Sequence, residues 1–193
     1  MNSTAALRGA TVVLGDRAIL RAFDLEIHPG VTVVRGGNGA GKTTLIRTLA
    51  GLLPLSRGTR EPAATTFYLG ENAQLLRGVS ARDNLRTLAA FRGVATDGVG
   101  PALASWGLSA TQAARPVETL SAGQRRRAAL ARLDVERADL VLLDEPFAGL
   151  DDEAAAHLLR TIRVFAGERR ALVIATHSRF ELDAGANRVV QLG

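Results

Sequence analysis

Gly36-Gly37-Asn38-Gly39-Ala40-Gly41-Lys42-Thr43-Thr44 is the stretch on which the fold of this chain turns. It fits G-x-x-x-x-G-K-[ST], a loop that cradles phosphates. Val31-Thr32-Val33-Val34 precedes it and predicts a buried strand, while Leu45-Ile46-Arg47-Thr48-Leu49-Ala50 follows with apolar residues at helical spacing. Strand, glycine loop and helix form the setting this chemistry requires. Glycines let the backbone curl without Cβ clashes, so that successive N–H groups point at phosphate oxygens, and the start of the helix adds a partial positive charge. Lys42 supplies a mobile point charge for the outer phosphates, and the hydroxyl of Thr43 suits a Mg²⁺ ion bound to them. Of the 24 lysine and arginine residues, Lys42 is the one lysine. In a chain that otherwise uses arginine, that position calls for a compact ammonium on a flexible stem.

At 193 residues, with 47% apolar and 22% charged side chains, the composition suits one globular domain with a substantial core. No run approaches the roughly 18–20 apolar residues of a membrane span, and Met1–Ala6 lacks the apolar core of a signal peptide. The absence of cysteine excludes disulfides and thiolate metal sites. The net charge of +5 is spread along the chain, densest at Arg125–Arg127 and Arg169–Arg170. With six Phe, one Tyr and one Trp there are few stacking platforms for nucleic acid, so no nucleic-acid partner is expected. The arginines read as solvated faces or as contacts to anionic headgroups or a membrane partner.

Outward from the loop, residues 7–29 alternate like antiparallel strands, with runs at Ala10–Leu14 and Leu20–Ile27 and a turn at Gly15-Asp16. Gly51 and Pro54 end the loop helix, 56–65 reads as turn, and Thr66–Leu69 reads as a short strand. Ser80-Ala81-Arg82-Asp83 resembles a capping box with Asp in place of Glu or Gln, opening a helical stretch. Residues 93–101 read as a loop, with a helix starting at Ala102. Arg125–Val135 and Ala154–Phe165 are helical, Leu140–Leu143 and Ala171–Ala175 are buried strands, and Val189–Leu192 is a last strand. Apolar strands alternating with helices predict an α/β fold with a mostly parallel sheet, an antiparallel β part at the N-terminus and an inserted helical subdomain. Within a single domain spanning 1–193, the core is expected at about 1–70 and 120–193 and the insertion at about 71–119.

Asp144 and Glu145 follow four apolar residues, which puts two acids at the carboxyl end of a buried strand, where parallel sheets place their ligands. Asp144 is the candidate to hold the cation, Glu145 to polarise an attacking water, and His177, at the end of the next strand, to hydrogen-bond the terminal phosphate. His28 and His157 have no such setting and read as surface residues.

Together with Leu120-Ser121-Ala122-Gly123-Gln124-Arg125-Arg126-Arg127 and Ala148-Gly149-Leu150-Asp151, these residues give the chain a resemblance to ATP-binding-cassette ATPases over nearly its whole length. The resemblance implies a P-loop NTPase binding ATP and Mg²⁺ through Gly36–Thr44, with Ser121, Gly123, Gln124 and Asp151 contacting ATP held by a second protomer. The signature and following basic helix, with Leu143–Phe147 and Tyr68-Leu69-Gly70, are similar to the ATPase subunits of cytochrome c maturation haem exporters. That implies a homodimer on separate membrane subunits, peripheral on the inner, cytoplasmic face of the membrane. Other readings are the ATPase of another small transporter, or a cassette acting on ribosomes or DNA.

Two departures stand out. The family expects a glutamine soon after the Tyr68 strand, where this chain has Glu71 or Asn72, with Gln74 displaced; either Glu71 serves as the oxygen ligand or the loop is shifted. The adenine-facing position of the first hairpin is Leu14 or Val13, so apolar packing replaces ring stacking.

Overall fold

The computed structural model describes residues 3–177 and 185–193. β1 (Ala5–Leu14) and β2 (Arg17–Ile27) form the expected hairpin, turning at Gly15 with φ 58°. β3 (Gly30–Arg35) runs buried into the phosphate loop, and α1 (Lys42–Leu49) leaves it.

The expected turn over 56–65 contains a strand. β4 (Arg57–Glu61) pairs antiparallel with β1, giving a sheet of order β2-β1-β4. Its sequence Arg-Gly-Thr-Arg-Glu is exposed throughout, so no alternation of apolar residues betrays it. Main-chain pairing holds it, helped by the bond from Arg8 Nε to Glu61 Oε1 at 2.9 Å. Charged residues on such an outer strand also discourage edge-to-edge association. Gly58 has φ 85°, and a Cβ there would sit 2.4 Å from the carbonyl oxygens of Arg8 and Gly9, so this close approach needs glycine.

β5 (Thr66–Leu69), β6 (Leu140–Asp144), β7 (Ala171–Ala175) and β8 (Arg188–Gln191) join β3 in a parallel sheet of order β5-β6-β7-β3-β8. The last strand begins one residue earlier and ends one earlier than expected. β3, β6 and β7 are adjacent and buried almost throughout, as continuous β-branched and leucine runs require in a sheet covered on both faces. α1 packs on β1 and β2 of one sheet and on β6 and β7 of the other. Leu45 and Ile46 are fully buried with Leu7, Ile27, Val34, Leu140 and Val173. Each such side chain contributes about 1.5–3 kcal/mol, so the helix that carries Lys42 is anchored by the core itself.

The chain falls into two compact units. The first holds both sheets and comprises the chain to Gly70, Ala138–Pro146, and Leu159 onward. The second comprises Glu71–Arg137 and Phe147–Leu158 and is helical. It contains α2 (Ala81–Phe91), α3 (Val99–Ser105), α4 (Ala110–Ala113), a 3₁₀ turn at Val117–Thr119, α5 (Ala122–Leu130), α6 (Arg132–Val135) and the start of α7 (Asp152–Ala166). Residues 120–137 and 147–158 thus group with the helices and not with the sheets. Side chains explain the grouping: Arg126 Nη1 donates to the Glu71 carbonyl at 3.1 Å, Trp106 Nε1 to Asp134 at 2.8 Å, and the Trp106 ring meets His157 edge-on at 4.5 Å. His157 is therefore half-buried, contrary to the surface reading, and so is His28, which lies beside Glu26.

Ser80 caps α2 by accepting from the Asp83 amide at 3.0 Å, and its hydroxyl donates to Asp83 Oδ2 at 2.6 Å. Asp83 accepts the serine's hydrogen bond and does not return to the cap amide as a longer acid would. α3 starts at Val99, before the expected Ala102, because Pro101 falls in its first turn, where a missing N–H costs nothing. The helix expected over 125–135 is interrupted at Ala131, where Asp134 N bonds Ala131 O three residues back at 3.2 Å.

Within the helical unit, Arg132 Nε bonds Glu136 Oε1 at 2.6 Å, with side-chain exposures of 9% and 4%. Arg92 Nε lies 3.5 Å from the other carboxylate oxygen. Removing one member of a buried pair strands the other charge. Glu136→Gln is expected to cost about 3 kcal/mol and to lower the thermal midpoint by roughly 6–12 °C for a chain of this size. An unchanged midpoint in a calorimetric scan would show that the pair contributes nothing net.

Candidate active site

In the sheet unit, the phosphate loop leaves β3 through Gly36, where a Cβ would meet the Leu192 carbonyl oxygen at 2.7 Å and Ala40 Cβ at 2.9 Å. Gly39 and Gly41 have φ 77° and 96°, a region that L side chains avoid. Gly41 is the N-cap of α1, whose first turn carries no acidic residue to offset its N–H groups. Gly37, Asn38 and Gly39 are exposed, and Ala40 and Gly41 half-buried. Lys42 is only 8% exposed, and its Nζ curls back to donate to Gly36 O at 2.9 Å and Gly37 O at 3.0 Å. The ammonium thus lies over the loop from which it comes. Thr43 is exposed, and Thr44 is buried.

Asp144 ends β6, is 2% exposed, and pairs in register with Ala175 of β7. Glu145, next in the chain, has φ 46°, a left-handed backbone that costs about 1–2 kcal/mol for a residue with a Cβ. Its amide donates to Ala175 O at 2.8 Å. Its carboxylate accepts from Thr176 Oγ1 at 3.0 Å and from the His177 amide at 3.1 Å, and lies 2.7 Å from His177 Nδ1. The structure therefore brings Glu145 and His177 into direct contact at the sheet edge from which the phosphate loop springs. The His177 ring is 67% exposed. Thr176, absent from the sequence-based candidates, is fully buried. Its position before His177 is visible in the sequence, but its bond to Glu145 exists only once β6 and β7 lie side by side.

Arg47 Nε is 3.4 Å from the Tyr68 hydroxyl. That bond first, then the charge of Tyr68, holds the guanidinium above its usual pKa, with Asp144 adding to the effect. Thr43 and Asp144 are hard oxygen donors in this unit, a set that suits Mg²⁺ when phosphate oxygens and water complete its shell. Among the described residues, no group of three or more His, Cys, Asp or Glu is spaced to hold a metal.

In the helical unit, Ser121 caps α5 in a complete capping box. Its hydroxyl accepts from Gln124 N at 3.1 Å, and Gln124 Oε1 accepts from Ser121 N at 2.9 Å. Arg125 donates to the Leu120 carbonyl. A Cβ at Gly123 would find nothing nearer than Gly149 O at 3.5 Å, so space within the chain does not demand glycine there. Asp151 caps α7 through Ala154 N at 2.9 Å and lies 3.9 Å from Arg127. Glu71 and Asn72 are exposed, and Gln74, also exposed, has φ 53°. Val13 and Leu14 of the hairpin are exposed at 40% and 44%. No helix among the described residues is long and apolar enough to cross a membrane.

Against known proteins, the ABC transporter family model matches residues 20–148. The cytochrome c biogenesis ATP-binding export protein CcmA of Paracoccus denitrificans is 41% identical over 190 residues, covering 97% of this chain and 88% of that one. Its namesake from Ruegeria pomeroyi is 38% identical over 183 residues, covering 94% and 88%. Among solved structures, the dimeric post-hydrolysis ATP-binding cassette MJ0796 bound to ADP and Pi superposes with a TM-score of 0.83 at 19% identity, covering 97% and 94%. An ABC transporter ATP-binding protein from Pyrococcus furiosus gives 0.80 at 24% identity, covering 97% and 96%. At those identities the structural likeness speaks for the fold.

Proposed function

The chain belongs to the ABC transporter family, and from that premise we propose that it is the ATP-hydrolysing subunit of an exporter serving cytochrome c maturation, with haem as cargo. The observation that carries hydrolysis is the Glu145 carboxylate, gripped by Thr176 and His177 at the sheet edge that bears the phosphate loop. The export role rests on the relatives named above.

The chain's own residues divide the work. N–H groups from Gly36 to Thr44 and the start of α1 bind the phosphates of ATP. Lys42 exchanges its bonds to Gly36 and Gly37 for the outer phosphate oxygens. Thr43 and Asp144 would hold a Mg²⁺ ion, which supplies charge neutralisation at the phosphates when bound. Glu145 takes the proton of the attacking water. His177 meets Glu145 through Nδ1. A neutral ring donating there has a bare Nε2, so donation to the terminal phosphate oxygen takes either a second ring proton or a turn away from Glu145.

The remaining contacts come from a second copy. Ser121, Gly123 and Gln124 present the start of α5, already ordered by its capping box, to the outer phosphate of the opposite protomer's ATP. The missing side chain at Gly123 suits the close approach of a phosphate. Asp151 lies beside that surface in the sequence order of the family. Closure on ATP and reopening after hydrolysis then move separate membrane subunits from the cytoplasmic face.

Affinity purification of the tagged chain from detergent-solubilised membranes of its own cell tests the role. Recovery with the membrane-spanning cytochrome c maturation subunits is expected, with ATP turnover in the isolated complex. Recovery with ribosomes or DNA, or with an unrelated permease, would overturn it.

A further inference from the structure

We infer that Thr176 is a positioning residue for ATP hydrolysis, its buried hydroxyl aiming the Glu145 carboxylate; this rests on the reading of Glu145 as the general base. A left-handed backbone at a residue with a Cβ persists only where its surroundings over-determine it. At Glu145 the end of β7 does so. The Ala175 carbonyl receives its amide, and Thr176 and His177 donate to its side chain, so three consecutive residues at the end of β7 fix both backbone and carboxylate.

Within this clamp the contributions differ. The His177 ring is exposed and is the group expected to leave for the phosphate, so it cannot also be the constant support of Glu145. The Thr176 hydroxyl is fully buried, with 3.0 Å to Glu145 Oε2. Its backbone is fixed in turn, since Thr176 N donates to Val34 O at 3.2 Å, and Val34 lies in β3, two residues before the phosphate loop begins. One residue thereby ties the base to the strand that sets the loop. When His177 swings to the phosphate, Thr176 keeps Oε2 in place and leaves Oε1 for the water. A β-branched residue with a hydroxyl serves both needs: the methyl packs in the buried strand end, and χ1 is stiff, so the oxygen does not wander.

The test is steady-state kinetics of the full chain in its membrane complex. Thr176→Val keeps the volume and removes the oxygen. It is expected to lower kcat about 10- to 100-fold, the scale of a misplaced catalytic group, and to leave KM for ATP within about twofold, as for a loss felt only in the transition state. Thr176→Ser should restore kcat to near wild type. Should the valine variant not fold, Thr176→Ser against Thr176→Ala isolates the same oxygen, both lacking the methyl, and the same ratio is expected. In a Glu145→Gln background, Thr176→Ala should cause no further loss, whereas a merely structural threonine would add its own. A wild-type kcat for Thr176→Val or Thr176→Ala, with Glu145→Gln inactive, overturns the role of Thr176 alone. An active Glu145→Gln overturns the base assignment, and Thr176 with it.

Discussion

Glu145→Gln is expected to reduce ATP turnover by about 10²- to 10⁴-fold, the range lost with a general base, and to leave nucleotide affinity nearly unchanged. The substitution is close to isosteric. The amide oxygen still accepts from the His177 main chain, and the Thr176 hydroxyl can turn to accept from the new NH₂ group, so the left-handed turn at φ 46° survives. What disappears is the capacity to take a proton. Phosphate release from ATP reads the first quantity and equilibrium binding of a fluorescent ATP analogue the second. On the proposed reading, in which the composite site opens only after hydrolysis, this variant should also accumulate as an ATP-bound dimer in size-exclusion chromatography. Undiminished turnover would assign the base elsewhere.

Lys42→Ala is expected to weaken ATP binding roughly 100-fold, equivalent to about 2.7 kcal/mol, the loss of one to two charge-assisted hydrogen bonds. The side chain also has a role before nucleotide arrives, since Nζ bridges the carbonyls of Gly36 and Gly37 and holds the loop in its curl. Its removal therefore takes away both a ligand for phosphate and a brace. Lys42→Arg is expected to fail nearly as badly. The site is 8% exposed and shaped around one nitrogen, and a planar fork does not fit between two carbonyls of one turn. Isothermal titration checks both; unaltered affinity in the alanine variant would remove the phosphate-loop assignment.

Much of the site was legible in order along the chain, and the reasons are local. The loop must be glycine-rich where the backbone has φ 77° and 96° at Gly39 and Gly41, and those demands are written in adjacent residues. β3, β6 and β7 are buried on both faces, so continuous apolar runs mark them and their acid and histidine termini. The outer strand β4 was not legible, because an exposed strand held by main-chain bonds asks nothing of its side chains except Gly58. Nor was the start of α3, where Pro101 reads as a break unless the first turn is known to lie around it. The affiliation of 120–137 and 147–158 with the helical unit depends on arginine and tryptophan contacts to residues far away in the chain.

The sequence alone determined an α/β fold with a glycine-rich phosphate loop and two acids at the end of a buried strand. Those properties follow from periodicity and from residue types that only one backbone conformation accepts. The three-dimensional fold decided how the catalytic candidates meet. Strand order places β6, β7 and β3 side by side, and only then do Glu145, Thr176, His177 and Val34 share hydrogen bonds. Hydrogen bonds of a few ångströms between residues 31 apart in the chain carry no periodic trace, so the aiming of the base by Thr176 became visible only in the assembled sheet.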